Sequence, residues 1–259
     1  MIYFRYLAMN VKAILEYRLS TWLVVAAQLC TTLFAFLSLS LLFARFGSLA
    51  GWTFAEAALC FGVTGTAFAL SETFARGFDT FSGMVIRGEF DRVLLRPRNT
   101  IVQVLGAKTD ITRLGRVILN IAIIIMVIPM TEIVWDISKI ITLIFMVTGG
   151  AIVFTGIFIL GATVCFFTLE GLEVINIFTD GGRELASYPL PVYGKWLSRF
   201  FTFIIPLGTV NYLPLMYITG RAVTYPVLYM LSPLAGILFL FPCLLVWRYG
   251  LRHYTSTGS

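Results

Sequence analysis

Charge is what this sequence has least of. Lys, Arg, Asp and Glu together make up 12% of its 259 residues, about half their share in a soluble domain. There is one histidine, His253, in the tail. Neither a histidine metal site nor a Ser/His dyad can therefore be assembled within the apolar body of the chain. The four cysteines, Cys30, Cys60, Cys165 and Cys243, fall singly in apolar runs without paired spacing. They read as small buried hydrophobes, not as a metal or disulfide set. No glycine-rich phosphate turn is present, since Gly194-Lys195 is followed by Trp196 and has no such turn before it. Asp79, Glu89 and Asp91 lie beside arginines and lack a second acidic cluster, so no catalytic residue and no metal ligand is expected. A cleavable signal is not expected either, because the first apolar run is too long for one.

What fills the chain instead is hydrophobic: 59% of residues, in runs longer than any buried core helix. The fold class this predicts is an all-α polytopic membrane protein. A net charge of +6 then speaks to orientation and the membrane surface, and no nucleic acid partner is expected.

The polar exception is the stretch from Ala75 to Arg116, where eight of twelve charges are Lys or Arg. Such an excess between apolar spans marks the cytoplasmic side. Within it, Gly88-Glu89-Phe90-Asp91-Arg92-Val93-Leu94-Leu95-Arg96-Pro97 reads as a short amphipathic helix. Gly88 breaks the chain before it, two acids occupy its first turn, and Pro97 stops it. Phe90, Val93 and Leu94 recur at helical spacing, giving one apolar edge that can dock.

Ahead of the first span, residues 1–18 place Phe4, Leu7, Val11, Ile14 and Leu15 on one helical face and Arg5, Lys12 and Glu16 on another. That pattern suits an interfacial helix; an N-terminal extension of the first span is the alternative. Spans are expected at about 21–43, 52–74, 117–130 (too short as it stands, so starting inside the loop near Ile111) and 140–167. Glu56 and Glu72 sit near the ends of the second, either interfacial or facing a pathway. Gly149, Gly150, Gly156 and Gly161 mark the fourth as closely packed. Tyr188, Tyr193, Trp196 and Tyr212 resemble an interfacial aromatic belt.

Two topologies remain open beyond Phe167. Hydropathy makes 169–187 a loop, with spans at 200–218 and 223–247. The rival keeps 169–187 as a polar fifth span lining a cavity and folds 188–220 back as a re-entrant piece. Pro189, Pro191, Pro206 and Pro214 break that segment repeatedly. Either count is even and leaves both termini on the cytoplasmic side.

The order of these features, with the Gly88–Pro97 helix and the proline-bounded segment from Tyr188-Pro189-Leu190-Pro191-Val192-Tyr193 to Ile205-Pro206-Leu207, resembles the permease subunits of bacterial type-2 ABC exporters. It is most similar to the small permeases of uncharacterised export systems. The resemblance covers essentially the whole chain. It implies six transmembrane helices, an amphipathic helix over 1–18, one transmembrane domain over 19–259 and a coupling loop over 75–116. It implies a re-entrant segment before the last span, and so favours 169–187 as the fifth span. It also implies a bacterial inner-membrane protein acting as a dimer with a second copy or a sister permease. Two copies of a separate ATPase would drive it, and that partner would hold ATP and Mg, leaving this chain without a cofactor. Glu89, Phe90, Asp91, Arg92, Leu94, Leu95 and Arg96 would dock on the ATPase. Glu170, Glu173, Asn176, Asp180 and Arg183 are the expected path residues. The competing functional class is a stand-alone ion-coupled carrier or a membrane-embedded lipid-modifying enzyme. A carrier is expected to show an internal repeat and matched mid-membrane ionisable residues, neither of which is found.

Overall fold

A computed structural model describes residues 6–10, 12, 16–168, 172–221 and 224–255, with the side chains of 172–175 excepted. All regular elements among the described residues are helical, apart from a single Leu49–Trp52 bridge. Helix α1 spans Arg18–Phe46, α2 Phe54–Asp79, α3 Phe81–Ile86, α4 Glu89–Leu94, α5 Thr100–Ala107 and α6 Leu114–Val127. Helix α7 spans Ile137–Val164, α8 Leu172–Ala186, α9 Lys195–Phe203, α10 Leu213–Ile218, α11 Pro226–Leu231 and α12 Ala235–Arg252. Five helical stretches are long and apolar enough to cross a bilayer.

Helix α2 is the hub. It packs on α6 and α7, and α7 packs in turn on α12. Its sequence explains this: Ala, Gly, Ser and Thr recur along it, and such small side chains let neighbouring backbones approach. The most apolar window of α2 is 78% buried, whereas that of α1 is only 11% buried. The outward face of α1 carries Trp22, Leu23, Phe34 and Leu41, a surface that only hydrocarbon or another apolar helix can cover. Cys30 lies on that exposed face, which corrects the expectation that all four cysteines are buried; the other three are. The predicted glycine contacts of α7 are real. A Cβ on Gly149 would stand 2.5 Å from the Pro233 carbonyl oxygen, and one on Gly156 3.0 Å from the Phe239 ring.

The two sides of the helix bundle differ in charge. On one, Arg96 donates from Nη1 to the Tyr6 hydroxyl at 3.1 Å, Asn10 donates to Thr109 at 2.8 Å, and the Tyr254 hydroxyl donates to Asp91 at 3.0 Å. The N-terminal segment, the 75–116 loop and the C-terminal tail therefore meet on one face, called here the basic face. Residues 6–10, 12 and 16 are helical as expected of the N-terminal helix; Phe4, Arg5, Val11, Ile14 and Leu15 lie outside the described residues. On the opposite face Thr53 and Glu56 form a capping box at the start of α2. Glu56 also pairs with Arg221 at 2.9 Å, and the Arg221 guanidinium sits 3.8 Å above the Trp52 ring. Glu56 is thus a helix cap and an ion-pair partner.

The segment after Phe167 forms a helix, α8, which is not among the five stretches long and apolar enough to cross a bilayer. Helix α8 starts beside the basic face and ends deep along α2, where the Ala186 carbonyl accepts from Thr64 Oγ1 at 2.8 Å and Asn211 Nδ2 at 2.7 Å. Its 15 residues rise roughly 22 Å. Residues 200–218 are not one helix: α9 and the stretch Gly208–Ile218 meet at 86°. Pro206 accounts for the break, because it cannot donate within a helix. The chain turns back there and returns to the opposite face, where Tyr217 meets Ser138 at 2.7 Å.

Candidate translocation cavity and docking helix

Glu72, Arg76 and Asp79 recur at i, i+4 and i+7 and so share one face of α2. Arg113, in the turn before α6, and Arg116, in its first turns, meet that face. Glu72 is buried and receives Arg116 at 2.6 Å, Arg76 at 3.1 Å and Arg113 at 3.2 Å. Arg76 also holds Asp79 at 2.5 Å, and Arg113 holds Asp110 at 3.2 Å. A carboxylate this deep persists only because several guanidiniums replace its water shell. Helix α8 brings Arg183 to the same place. Arg116 and Arg183 lie 5.8 and 5.2 Å from the centre of the Phe68 ring, one on each contact.

These residues wall a cavity of about 790 Å³ on the basic side of the bundle. A second cavity of about 130 Å³ continues from it toward Gln28, Thr32, Phe61 and Ser187. Of the residues predicted to line a path, Asn176, Asp180 and Arg183 all face the larger cavity. Glu170 lies outside the described residues, as does the side chain of Glu173, whose backbone belongs to α8. Sequence reading held a pathway position open for Glu72 and missed Phe68, Arg76, Arg113 and Arg116 as cavity residues. A signal was available: ionisable side chains inside a span mark a functional site by default, and Glu72 falls within the expected second span, near its end.

The short helix in the loop forms where it was expected, with Gly88 at φ 63° in the left-handed region as its N-cap and Glu89 and Asp91 in its first turn. Its apolar edge points elsewhere. Phe90 is fully enclosed by this chain's own rings, with Phe81 at 4.9 Å, Tyr254 at 5.1 Å and Phe166 at 5.6 Å. The expectation that Phe90 anchors in a partner is therefore corrected. A ring that can complete an aromatic cluster inside its own molecule gains more there than at a wet surface. Asp91 is likewise turned inward, onto Tyr254. What α4 and the turn after it present outward is Leu94, 41% exposed, and Leu95, 83% exposed, flanked by exposed Arg92 and Arg96. Glu89 is half-exposed and accepts from Arg87 Nε at 2.9 Å, which holds its carboxyl below the usual carboxylate range. Burial, reinforced by Asp91, pushes the Tyr254 phenol up to about 12.

An all-helical bundle with a charged cavity and a short exposed helix on the same face defines a polytopic transport component. The chain belongs to the ABC-2 family: a family model described as ABC-2 family transporter protein matches residues 29–258. No curated protein matches it. It is a multi-pass ABC transporter permease, a membrane component of transport and not itself a catalyst.

Proposed function

We propose that this chain is the permease subunit of an exporter, that two permeases enclose the path, and that two copies of a separate ATPase drive it. The carrying observation is that the charged cavity of about 790 Å³ opens on the same face as α4. Substrate loading and energy input then occur on one side, as export requires. One chain closes the cavity only partly, which supports a second copy or a sister permease as the missing wall. Leu94, Leu95, Arg92, Arg96 and Glu89 form the docking surface for the ATPase, while Phe90 ties that surface to α12 through Trp247. ATP and Mg bind in the partner, and this chain holds no cofactor. Asn176, Asp180 and Arg183, with Glu170 and Glu173, belong to the path.

The basic face is cytoplasmic, with both termini, in the inner membrane of a bacterium. Thirteen of the 19 Lys and Arg lie in the N-terminal helix, the 75–116 loop and the tail, the bias expected of that side. Residues 1–18 lie along the lipid surface and 19–259 form one transmembrane domain. Co-expression with a candidate ABC ATPase chain tests the proposal. A four-subunit complex whose ATP hydrolysis depends on the permease is expected. A chain that stays free of any ATPase and moves substrate on an ion gradient overturns it.

A further inference from the structure

Three guanidiniums sit where the two cavities join. Arg113, Arg116 and Arg183 border both cavities, and among the described residues no carboxylate borders both. Arg116 and Arg183 come from different helices yet lie against the same ring, that of Phe68. Like charges gathered in a half-buried site repel unless something negative lies between them. Three of the nearby acids are already engaged. Glu72 is shared by three arginines, Asp110 takes Arg113, and Glu184 meets Arg183 at 2.5 Å from an exposed position. Among the described residues that line the larger cavity, six side chains are cationic and three are acidic, Glu72, Asp79 and Asp180. Arg116 is only 8% exposed, and its Nε has no protein partner. A buried guanidinium donor without an acceptor is costly, and its planar fork matches a carboxylate or a phosphate.

From this we infer that the junction is an anion site, and that the molecule moved by this permease carries a phosphate or carboxylate group. The second half rests on the permease reading; the first does not. Phe68 beside the arginines and Phe61 beyond them leave an apolar wall next to the charged one, which suits an anionic amphiphile. A soluble anion shares the same recognition chemistry, and the test separates the two.

The purified full chain, in a neutral detergent and without any ATPase, is titrated with fluorescent short-chain phosphatidic acid, with the matching phosphatidylcholine, and with glycerol phosphate. Phosphatidic acid is expected to bind at least about tenfold more tightly than phosphatidylcholine, the scale of one charge-assisted hydrogen bond. Glycerol phosphate binding at comparable strength assigns a free anion, and its failure to bind assigns a lipid-type headgroup. Arg183→Gln and Arg116→Gln should each weaken the phosphatidic acid complex about tenfold, while Arg252→Gln, an exposed cation of the same face, leaves it unchanged. Arg183 is only half-buried, so its variant keeps the test alive if loss of Arg116 unfolds the chain, as checked by melting temperature. Equal binding of phosphatidylcholine, or unchanged binding in a folded Arg183→Gln chain, overturns the inference. Intact anion binding in a chain that forms no ATPase complex would reject the permease mechanism and leave the site standing.

Discussion

At the scale of the residue, Glu72 and Phe90 decide the most. Glu72 keeps three arginines from two parts of the chain within 3.2 Å. Glu72→Gln retains the shape but leaves those cations without their counter-charge. Unpairing a buried ion pair typically costs about 3–5 kcal/mol, so a fall in thermal stability in detergent is expected. Converting Arg116 to Gln as well should restore part of the loss, which a double-mutant cycle would measure. Phe90→Ala is expected to destabilise the chain by about 3–5 kcal/mol, as large-to-small changes do in a packed core. Stability unchanged in Phe90→Ala would return this ring to the docking surface. The Tyr254 hydrogen bond to Asp91 adds a pH dependence of known sign. The folded state favours the neutral phenol, so this contribution is complete below the ordinary tyrosine value near 10 and disappears as pH rises through about 12. Tyr254→Phe removes it, and the difference between the two proteins' alkaline unfolding curves is the measurement.

At the scale of the element, α4 has two sides with separate work. Its inner side is fastened to α12 and the tail by the Phe90 cluster, and its outer edge ends in Leu94 and Leu95. Leu94→Ala with Leu95→Ala should leave folding and insertion intact, since both side chains already face solvent. The pair should nevertheless weaken association with the ATPase by about 2 kcal/mol, or roughly thirtyfold, the usual weight of an interface hot spot. Measured affinity equal to that of the native chain would remove α4 from the contact. The bend between α9 and α10 is an element of another kind. Asn211, next to it, donates to Ala186 and Thr64 at 2.7 and 2.6 Å, so the turn back toward the opposite face is tied to the end of α8. An interior this short of water makes such a tie strong.

At the scale of the whole molecule, the asymmetry of charge between the two faces sets orientation. In a Cys30→Ala background, a cysteine at Lys139 is expected to react with an impermeant thiol reagent added outside intact cells, and one at Arg98 is not. Labelling of Arg98→Cys from outside would invert the protein.

The class of protein was legible in composition and in the length of its apolar runs, because spanning a bilayer is a demand on each segment separately. The start of the third span at Ile111, the helix after Gly88, the glycine contacts of α7 and the break at Pro206 followed from the same local rules of length, capping and backbone freedom. Only the tertiary structure decided which side of a helix matters. Phe90 looked outward from its spacing alone, yet it found Phe166, Trp247 and Tyr254, residues far along the chain. Glu72 stood open between an interfacial and a pathway reading until α6 and the turn before it carried Arg116 and Arg113 to it, and Arg183 acquired its meaning from Phe68 and Arg116. Local sequence encodes how a segment meets water or hydrocarbon; partners across the bundle are set by how helices pack, and no single stretch contains that information.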